Sequence, residues 1–264
     1  MSNERAFAFS SHLWANSIIF LIILLRVSSI VVFAPVFSSA SIPPQLKIAI
    51  SLIFSLVLFN PVKGYIHINS LNALFITEVV LRELALAVLL ALTVHFIWSG
   101  VELGAQLVGF NMGFAIANVL SPQENVQISV LSEFESIFAI LVFLAIDGHY
   151  AFIKAMAFSF KVLPVGSFAT NSSIFQIFNR LVSMLFTVAF SVLAPAIMAL
   201  FITQVVFGLI ARTMPQINIM IVAFPLSIAI GFMVLGASFI FMADALVKYY
   251  NDAFHYLFAI LKVG

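Results

Sequence analysis

Glutamates within apolar segments are the residues of this sequence best suited to chemistry. Four such residues are Glu78, Glu102, Glu133 and Glu135. A carboxyl group at membrane depth is costly, so residues of this kind mark ion sites, proton relays or structural pairs. These glutamates therefore allow an ion-coupled secondary transporter as an alternative hypothesis for the function.

One of these glutamates has a partner at a suitable spacing. Glu78 and Arg82 are four residues apart with the acid first, which is the favourable order for an ion pair on one helix. Two interpretations stay open. The pair stabilises a helix near a membrane interface, or it belongs to a translocation pathway.

Enzymatic and metal chemistry find no support in the sequence. The histidines, at positions 12, 67, 95, 149 and 255, have no metal-ligand spacing, and cysteine is absent. No H-E-x-x-H, G-x-S-x-G or phosphate-binding glycine loop occurs. We therefore expect no enzyme and no cofactor. Because the basic residues form no run or face, we also expect no nucleic-acid partner.

The composition is that of an integral membrane protein. Of 264 residues, 64% are hydrophobic and 8% are charged, against about 25% charged in a typical soluble domain. Several uncharged intervals are about 20 residues long, which suits the ~30 Å hydrocarbon core. These intervals are 6–25, 27–46, 84–101 and 103–123. The sequence predicts an all-α fold of membrane helices in contact with lipid.

The last third of the chain predicts a helical hairpin. Two uncharged intervals, 181–211 and 213–243, flank the sequence RTMPQ, so the tip is expected near Pro215. A helix that fills either interval is about 46 Å long, which exceeds the bilayer core. Pro195 and Pro225 are expected to kink these helices, and a closely packed oligomer is their natural setting.

Residues 125–146 predict an apolar helix with a polar stripe. The stripe consists of Asn125, Ser129, Ser132, Glu133 and Ser136. At helical spacing these residues share one face about 100° wide. Because lipid does not solvate such a face, it predicts contact with other subunits or the lining of an aqueous channel, and both possibilities stay open.

The segment GFNMGFAIANVLSP, at 109–122, allows two interpretations. Gly109 and Gly113 form a small-xxx-small pair typical of close helix packing. In an extended backbone, however, Phe110, Met112 and Phe114 project to the same side. Non-helical backbone at membrane depth must be buried in protein or line a cavity. Bulky apolar side chains there can close a pore by dewetting it, so the segment predicts a movable stopper.

Three stretches of the sequence resemble one known family. They are GAQLVGFNMGFAIANVLSP at 104–122, LVFLAIDGHYAFIKAMAFSFKVLPVGS at 141–167 and RTMPQINIMIVAFPLSIAIGFMVL at 212–235. They resemble the FliR/SctT family of type III secretion export-gate proteins, and the likeness covers essentially the whole chain. Asp147 departs from the asparagine expected in many members, which leaves the role of that turn open.

The resemblance implies a helical export-gate assembly with FliP and FliQ subunits, in which FlhB and FlhA are further expected partners. Residues 1–179 would be a FliP-like part with a plug loop at about 106–122, and residues 180–264 a FliQ-like hairpin. By position, Phe110, Met112 and Phe114 would plug the pore, with Gly109 and Gly113 as the hinge. The assembly would pass unfolded flagellar export substrates across the bacterial inner membrane at the flagellar basal body.

Overall fold

The described part of the chain is helical throughout. The computed structural model describes residues 2–34, 42–66, 73–114, 130–216 and 218–264, and the side chains of the first helix from Asn16 onward. These residues form eight α-helices: α1 Ser2–Phe33, α2 Pro44–Val62, α3 Ala73–Met112, α4 Val130–Ala145, α5 Gly148–Val162, α6 Ser172–Val192, α7 Ala194–Thr213 and α8 Ile219–Val263. A 3-10 turn, Lys63–Tyr65, follows α2. The predicted all-α fold is confirmed.

Six of the described helices are long and apolar enough to cross a membrane. They are α1, α2, α3, α6, α7 and α8. Helices α4 and α5 pass the same test together, as a pair separated by a short break. At 1.5 Å per residue, α3 and α8 are about 60 Å and about 68 Å long, or roughly twice the hydrocarbon core. Both must tilt steeply or extend beyond the bilayer.

The breaks between helices follow the local chemistry of the chain. Helix α6 ends before Leu193 and α7 begins at Ala194, because Pro195 has no N–H to continue the ladder of α6. The interval 181–211 is therefore two helices. The predicted hairpin tip lies at 214–216, between α7 and α8, whereas Pro225 is inside α8. Asp147 turns the chain between α4 and α5 with φ 56°, a conformation that Asp and Asn tolerate.

The chain divides into two compact units. Unit 1 contains residues 1–95, 149–181 and 253–264, and unit 2 contains residues 96–148 and 182–252. Each unit draws residues from both sides of the boundary between 179 and 180. The division into a FliP-like part and a FliQ-like part therefore stays a prediction from the resemblance.

In unit 2, close packing of α3 on α6 depends on glycine. A Cβ on Gly100 would lie 2.6 Å from the carbonyl oxygen of Leu185, and one on Gly104 would lie 2.5 Å from that of Ala189. Both obstacles are backbone atoms, which cannot rotate aside. The small-residue spacing thus brings two helix backbones together, as such motifs do in membrane proteins.

Gly104→Ala is expected to destabilise the protein by about 1–3 kcal/mol, the usual cost of overpacking a core. Gly236→Ala is the matched control, because it is also a mid-helix glycine but has nothing within 4 Å of the added Cβ. The control is expected to be neutral or to gain about 0.5–1 kcal/mol from better helix propensity. Thermal unfolding in detergent measures both, and equal effects would contradict the packing argument.

Candidate functional site

Residues 109–114, here called the gating segment after the role that the sequence predicts for them, form the last turn of α3 and the turn that follows it. The helix ends at Met112. The N–H of Gly113 donates to the carbonyl oxygen of Phe110 at 3.0 Å, and Gly113 has φ 93°. This left-handed conformation is open to glycine and strained for other residues. Gly113 is therefore the point at which the chain leaves the helix.

Of the two interpretations of this segment, the extended backbone does not hold for residues 109–112, which are helical. Residues through Met112 are helical, and side chains two positions apart on a helix point in nearly opposite directions. Phe110 is 69% exposed, Met112 is fully buried and Phe114 is partly buried. The three side chains therefore occupy three different environments. Residues 115–122 of the predicted plug loop lie outside the described residues.

The gating segment rests on α8. A Cβ on Gly231 would lie 2.7 Å from the Sδ atom of Met112, so the thioether packs directly on this glycine. The ring of Phe114 meets the ring of Phe232 edge to face, with centroids 6.4 Å apart. Phe224 lies against Gly113. Three positions of α8 thus anchor the end of α3.

A polar contact ties the same segment to α7. Asn111 Nδ2 donates to the carbonyl oxygen of Leu107 at 2.8 Å. Gln204 Nε2 donates to Asn111 Oδ1 at 2.9 Å and to the carbonyl oxygen of Asn111 at 3.3 Å. The polar residue within the apolar run therefore joins two helices of unit 2.

Gln204→Leu is expected to loosen the gating segment. Loss of the contact leaves Asn111 without its partner on α7, at a cost of about 1 kcal/mol, which corresponds to roughly fivefold faster local opening. Amide hydrogen exchange over residues 107–114 measures this change. Gln176→Leu, at an exposed glutamine of α6, is the control and should leave those amides unchanged. Equal exchange in both variants would contradict the role of Gln204.

The polar stripe on α4 differs from its prediction. Asn125 and Ser129 lie outside the described residues, Ser132 and Ser136 are buried, and Glu133 is exposed. At about 100° per residue, Glu133 and Glu135 lie on opposite flanks of the two serines. Glu133 is on the exposed flank, whereas Glu135 is fully buried.

The predicted pair of Glu78 and Arg82 is an ion pair in the structure. Arg82 Nη2 and Glu78 Oε1 are 2.5 Å apart on the exposed side of α3. Arg82 Nη1 also donates to the carbonyl oxygens of Gly166 and Phe168, at 3.3 Å and 3.1 Å. The arginine thus fastens the connection after α5 to α3 within unit 1.

A second ion pair, between Arg26 and Glu83, was not predicted. Both side chains are fully buried in unit 1. Arg26 donates from Nε to one carboxylate oxygen and from Nη2 to the other, the latter at 2.8 Å. Nη1 of Arg26 donates to the carbonyl oxygen of Leu163 at 3.2 Å and lies 3.3 Å from Ser159 Oγ. The guanidinium also stacks on the ring of Phe160, 4.3 Å from its centroid.

The sequence contained a signal for this pair. Arg26 is a single charge within about 40 apolar and neutral residues, and a charge in such a place needs a partner. Glu83 is the acid left over once Glu78 pairs with Arg82. Its Oε1 atom also accepts the backbone N–H of Gly166 at 3.0 Å. The pair therefore binds α1, α3 and the connection after α5 into one network.

Comparison with known proteins gives a consistent result. The model of the family described as "Bacterial export proteins, family 1" matches residues 17–253. The flagellar biosynthetic protein FliR of Bacillus subtilis is 28% identical over 236 residues, covering 83% of this chain and 87% of the relative. FliR of Escherichia coli is 24% identical over 240 residues, covering 90% and 91%. The chain belongs to family 1 of the bacterial export proteins, the family of the flagellar biosynthetic protein FliR.

Proposed function

We propose that this chain is a non-enzymatic subunit of the flagellar type III protein export gate. With FliP and FliQ subunits it forms the channel that passes unfolded export substrates across the inner membrane, next to FlhB and FlhA. The match to the bacterial export family over residues 17–253 carries this proposal. The flagellar names of the relatives favour the flagellar system.

The dimensions and surface of α8 support an assembly with other subunits. The helix is about 68 Å long, so roughly half of it exceeds the hydrocarbon core. Large apolar side chains are nevertheless exposed along it, including Ile221, Met233 and Ile240. Exposed apolar surface of this extent needs either lipid or a protein partner. Because lipid cannot cover the whole length, partner subunits are the natural cover.

The gating segment supports a plug with separate anchor and stopper residues. Met112 and Phe114 pack against α8, whereas Phe110 is exposed at the end of α3. We assign Phe110 to the lumen of the assembly, where a bulky apolar group excludes ions by dewetting. Gly109 and Gly113 supply the hinge, since Gly113 already has a backbone conformation that other residues rarely adopt.

The polar side of α4 is assigned to the same assembly. Glu133 is exposed beside Phe134 and Ile137, which are exposed as well. A carboxylate on such a surface is not solvated by lipid. We therefore place Glu133 against a neighbouring subunit or the aqueous lumen.

The test is co-purification with a stoichiometric count. The tagged chain is expressed together with FliP and FliQ, extracted in mild detergent and measured by native mass spectrometry. A hetero-oligomer that contains both partners is expected, together with restored swimming when the chain complements a strain that lacks its own copy. Recovery as a lone monomer in every mild detergent, with no restored swimming, would contradict the proposal.

A further inference from the structure

Glu135 of α4 is buried without a partner. Its side chain is fully buried in unit 2, and neither carboxylate oxygen has a hydrogen-bond partner within the described part of the chain. The hydroxyl of Ser132, one turn earlier on the same buried side, is also unpartnered. We propose that Glu135 is a proton-binding site, whose carboxyl group holds a proton between the packed helices of unit 2. This inference does not depend on the export-gate assignment.

The hydroxyl donors around Glu135 are already used. Ser136 Oγ, the adjacent donor, lies 3.4 Å from Glu102 Oε1 on α3. The hydroxyl of Tyr250 on α8 donates to the carbonyl oxygen of Ala139, one turn later on α4, at 3.1 Å. A carboxylate can only accept hydrogen bonds, so an ionised Glu135 finds no described donor to stabilise it.

No described cation faces Glu135 either. Glu102 on α3 adds a second negative group on this side. The cationic residues of the described part of unit 2 are Arg212 and Lys248, and both are exposed, as is Asp244 on α8. The stretch of α6 that packs on α3, residues 182–192, has no charged residue, and residues 115–129 contain no lysine or arginine. The charges that would stabilise an ionised Glu135 are therefore missing.

A bound proton removes both problems, the buried negative charge and the lack of hydrogen-bond donors. An uncompensated buried ion costs several kcal/mol even after relaxation, and protonation removes the charge. The neutral acid is also a hydrogen-bond donor. Ser132, whose hydroxyl oxygen has unused acceptor capacity, is on the same side of α4.

The bound proton is linked to the packing of α8 on α4. The ring of Phe239 lies 5.9 Å from that of Phe134 and 5.1 Å from that of Phe138, on either side of Glu135 along the chain. Loss of the proton leaves an uncompensated buried charge on the helix that carries this aromatic contact.

Infrared difference spectroscopy tests the site directly. The whole chain is purified in detergent, and wild type is compared with Glu135→Gln at neutral pH. The carbonyl stretch of a protonated carboxylic acid, identified by its shift in D2O, is expected in wild type and absent from Glu135→Gln. Glu133→Gln, at the exposed glutamate two residues away on the same helix, is the control and is expected to retain the band.

If Glu135→Gln does not fold, Glu135→Leu takes its place as a neutral residue of similar volume. Absence of the wild-type band, its persistence in Glu135→Gln, or failure of both neutral variants to fold while Glu133→Gln folds would each overturn the proposal.

Discussion

Glu83→Gln is expected to destabilise the protein by about 3–5 kcal/mol, because it leaves the buried guanidinium of Arg26 without its counter-charge. Glu78→Gln, five residues earlier on the same helix, is expected to cost less than about 1 kcal/mol, as exposed ion pairs do. Each glutamate pairs with one arginine, and each variant keeps the shape of the side chain. Burial is the main difference, since both partners of the first pair are fully buried and those of the second are exposed.

The predicted cost follows from the number of contacts that meet at Glu83. Its two oxygens accept hydrogen bonds from Arg26, and one of them also accepts the N–H of Gly166. The amide oxygen of glutamine can still accept one of these hydrogen bonds. Its NH2 group is a donor, however, and the guanidinium of Arg26 has no acceptor for it. Arg26→Lys should fail as well, because an ammonium lacks the planar fork that fits the carboxylate.

A double variant separates lost charge pairing from lost packing. Arg26→Met combined with Glu83→Leu removes both charges, and such apolar replacements of buried pairs are often neutral or stabilising. We therefore expect the double variant to be more stable than either single variant, which a double-mutant cycle detects as coupling. Thermal and denaturant unfolding in detergent provide the measurement. If Glu83→Gln costs no more than Glu78→Gln, the buried pair is not the stabilising element proposed for unit 1.

Hydropathy and local spacing were sufficient to predict an all-α membrane protein and one of the two ion pairs found among the described residues. The apolar composition predicts helices long enough to cross a membrane, and Pro215 lies in the turn between α7 and α8. The uncharged intervals do not mark the helix bounds, however, since α1 contains Arg26 and α3 contains Glu83. Glu78 and Arg82 are neighbours on any helix by virtue of their four-residue spacing. These features depend on residues close together in the chain, so a single sequence contains them.

Features that depend on tertiary packing were not predicted from the sequence. Arg26 and Glu83 are 57 positions apart, and no periodicity links them. On α4, the burial of Glu135 was not predicted, because only the facing helices decide which part of a mixed face is covered.

The gating segment shows how two periodicities can compete in one sequence. Alternating large apolar residues suggested an extended strand, yet the helix continues through Met112 and stops at Gly113. Intrinsic propensity is a weak prior that tertiary context overrides. Here the context is α8, where Gly231 leaves room for Met112. The role of the segment as a plug is separate from its backbone conformation and stays a proposal.

Replacing Phe110, Met112 and Phe114 with glycine is expected to make the assembled gate leak small solutes through the inner membrane. Burial of a large apolar side chain contributes about 1.5–3 kcal/mol, so the loss of Met112 and Phe114, which pack against α8, removes much of what holds the segment in its closed position. Because about 1.4 kcal/mol corresponds to a tenfold change in rate, permeability should rise at least about tenfold. Proton and small-solute flux in inverted vesicles that contain the assembled complex measures this effect.

A control variant can be made at three residues of the same types outside the gating segment. Phe186, Phe190 and Met198 are two phenylalanines and a methionine with exposed side chains on α6 and α7. Replacing them with glycine removes a similar amount of apolar surface outside the gating segment. Both variants should assemble normally, but only the complex with the triple variant of the gating segment should leak. This result would assign the stopper function to the gating segment, whereas equal permeability of the two complexes would contradict it.

Single substitutions then separate stopper from anchor. Phe110→Gly removes an exposed side chain, so it should open the gate while leaving unfolding temperature nearly unchanged. Met112→Gly empties a buried site against Gly231, and truncating a buried methionine to alanine already costs about 2–5 kcal/mol. Loss of stability should therefore accompany its leak. If Phe110→Gly alone leaves the membrane impermeable in fully assembled complexes, Phe110 is not the stopper. The seal must then lie in another part of the assembly.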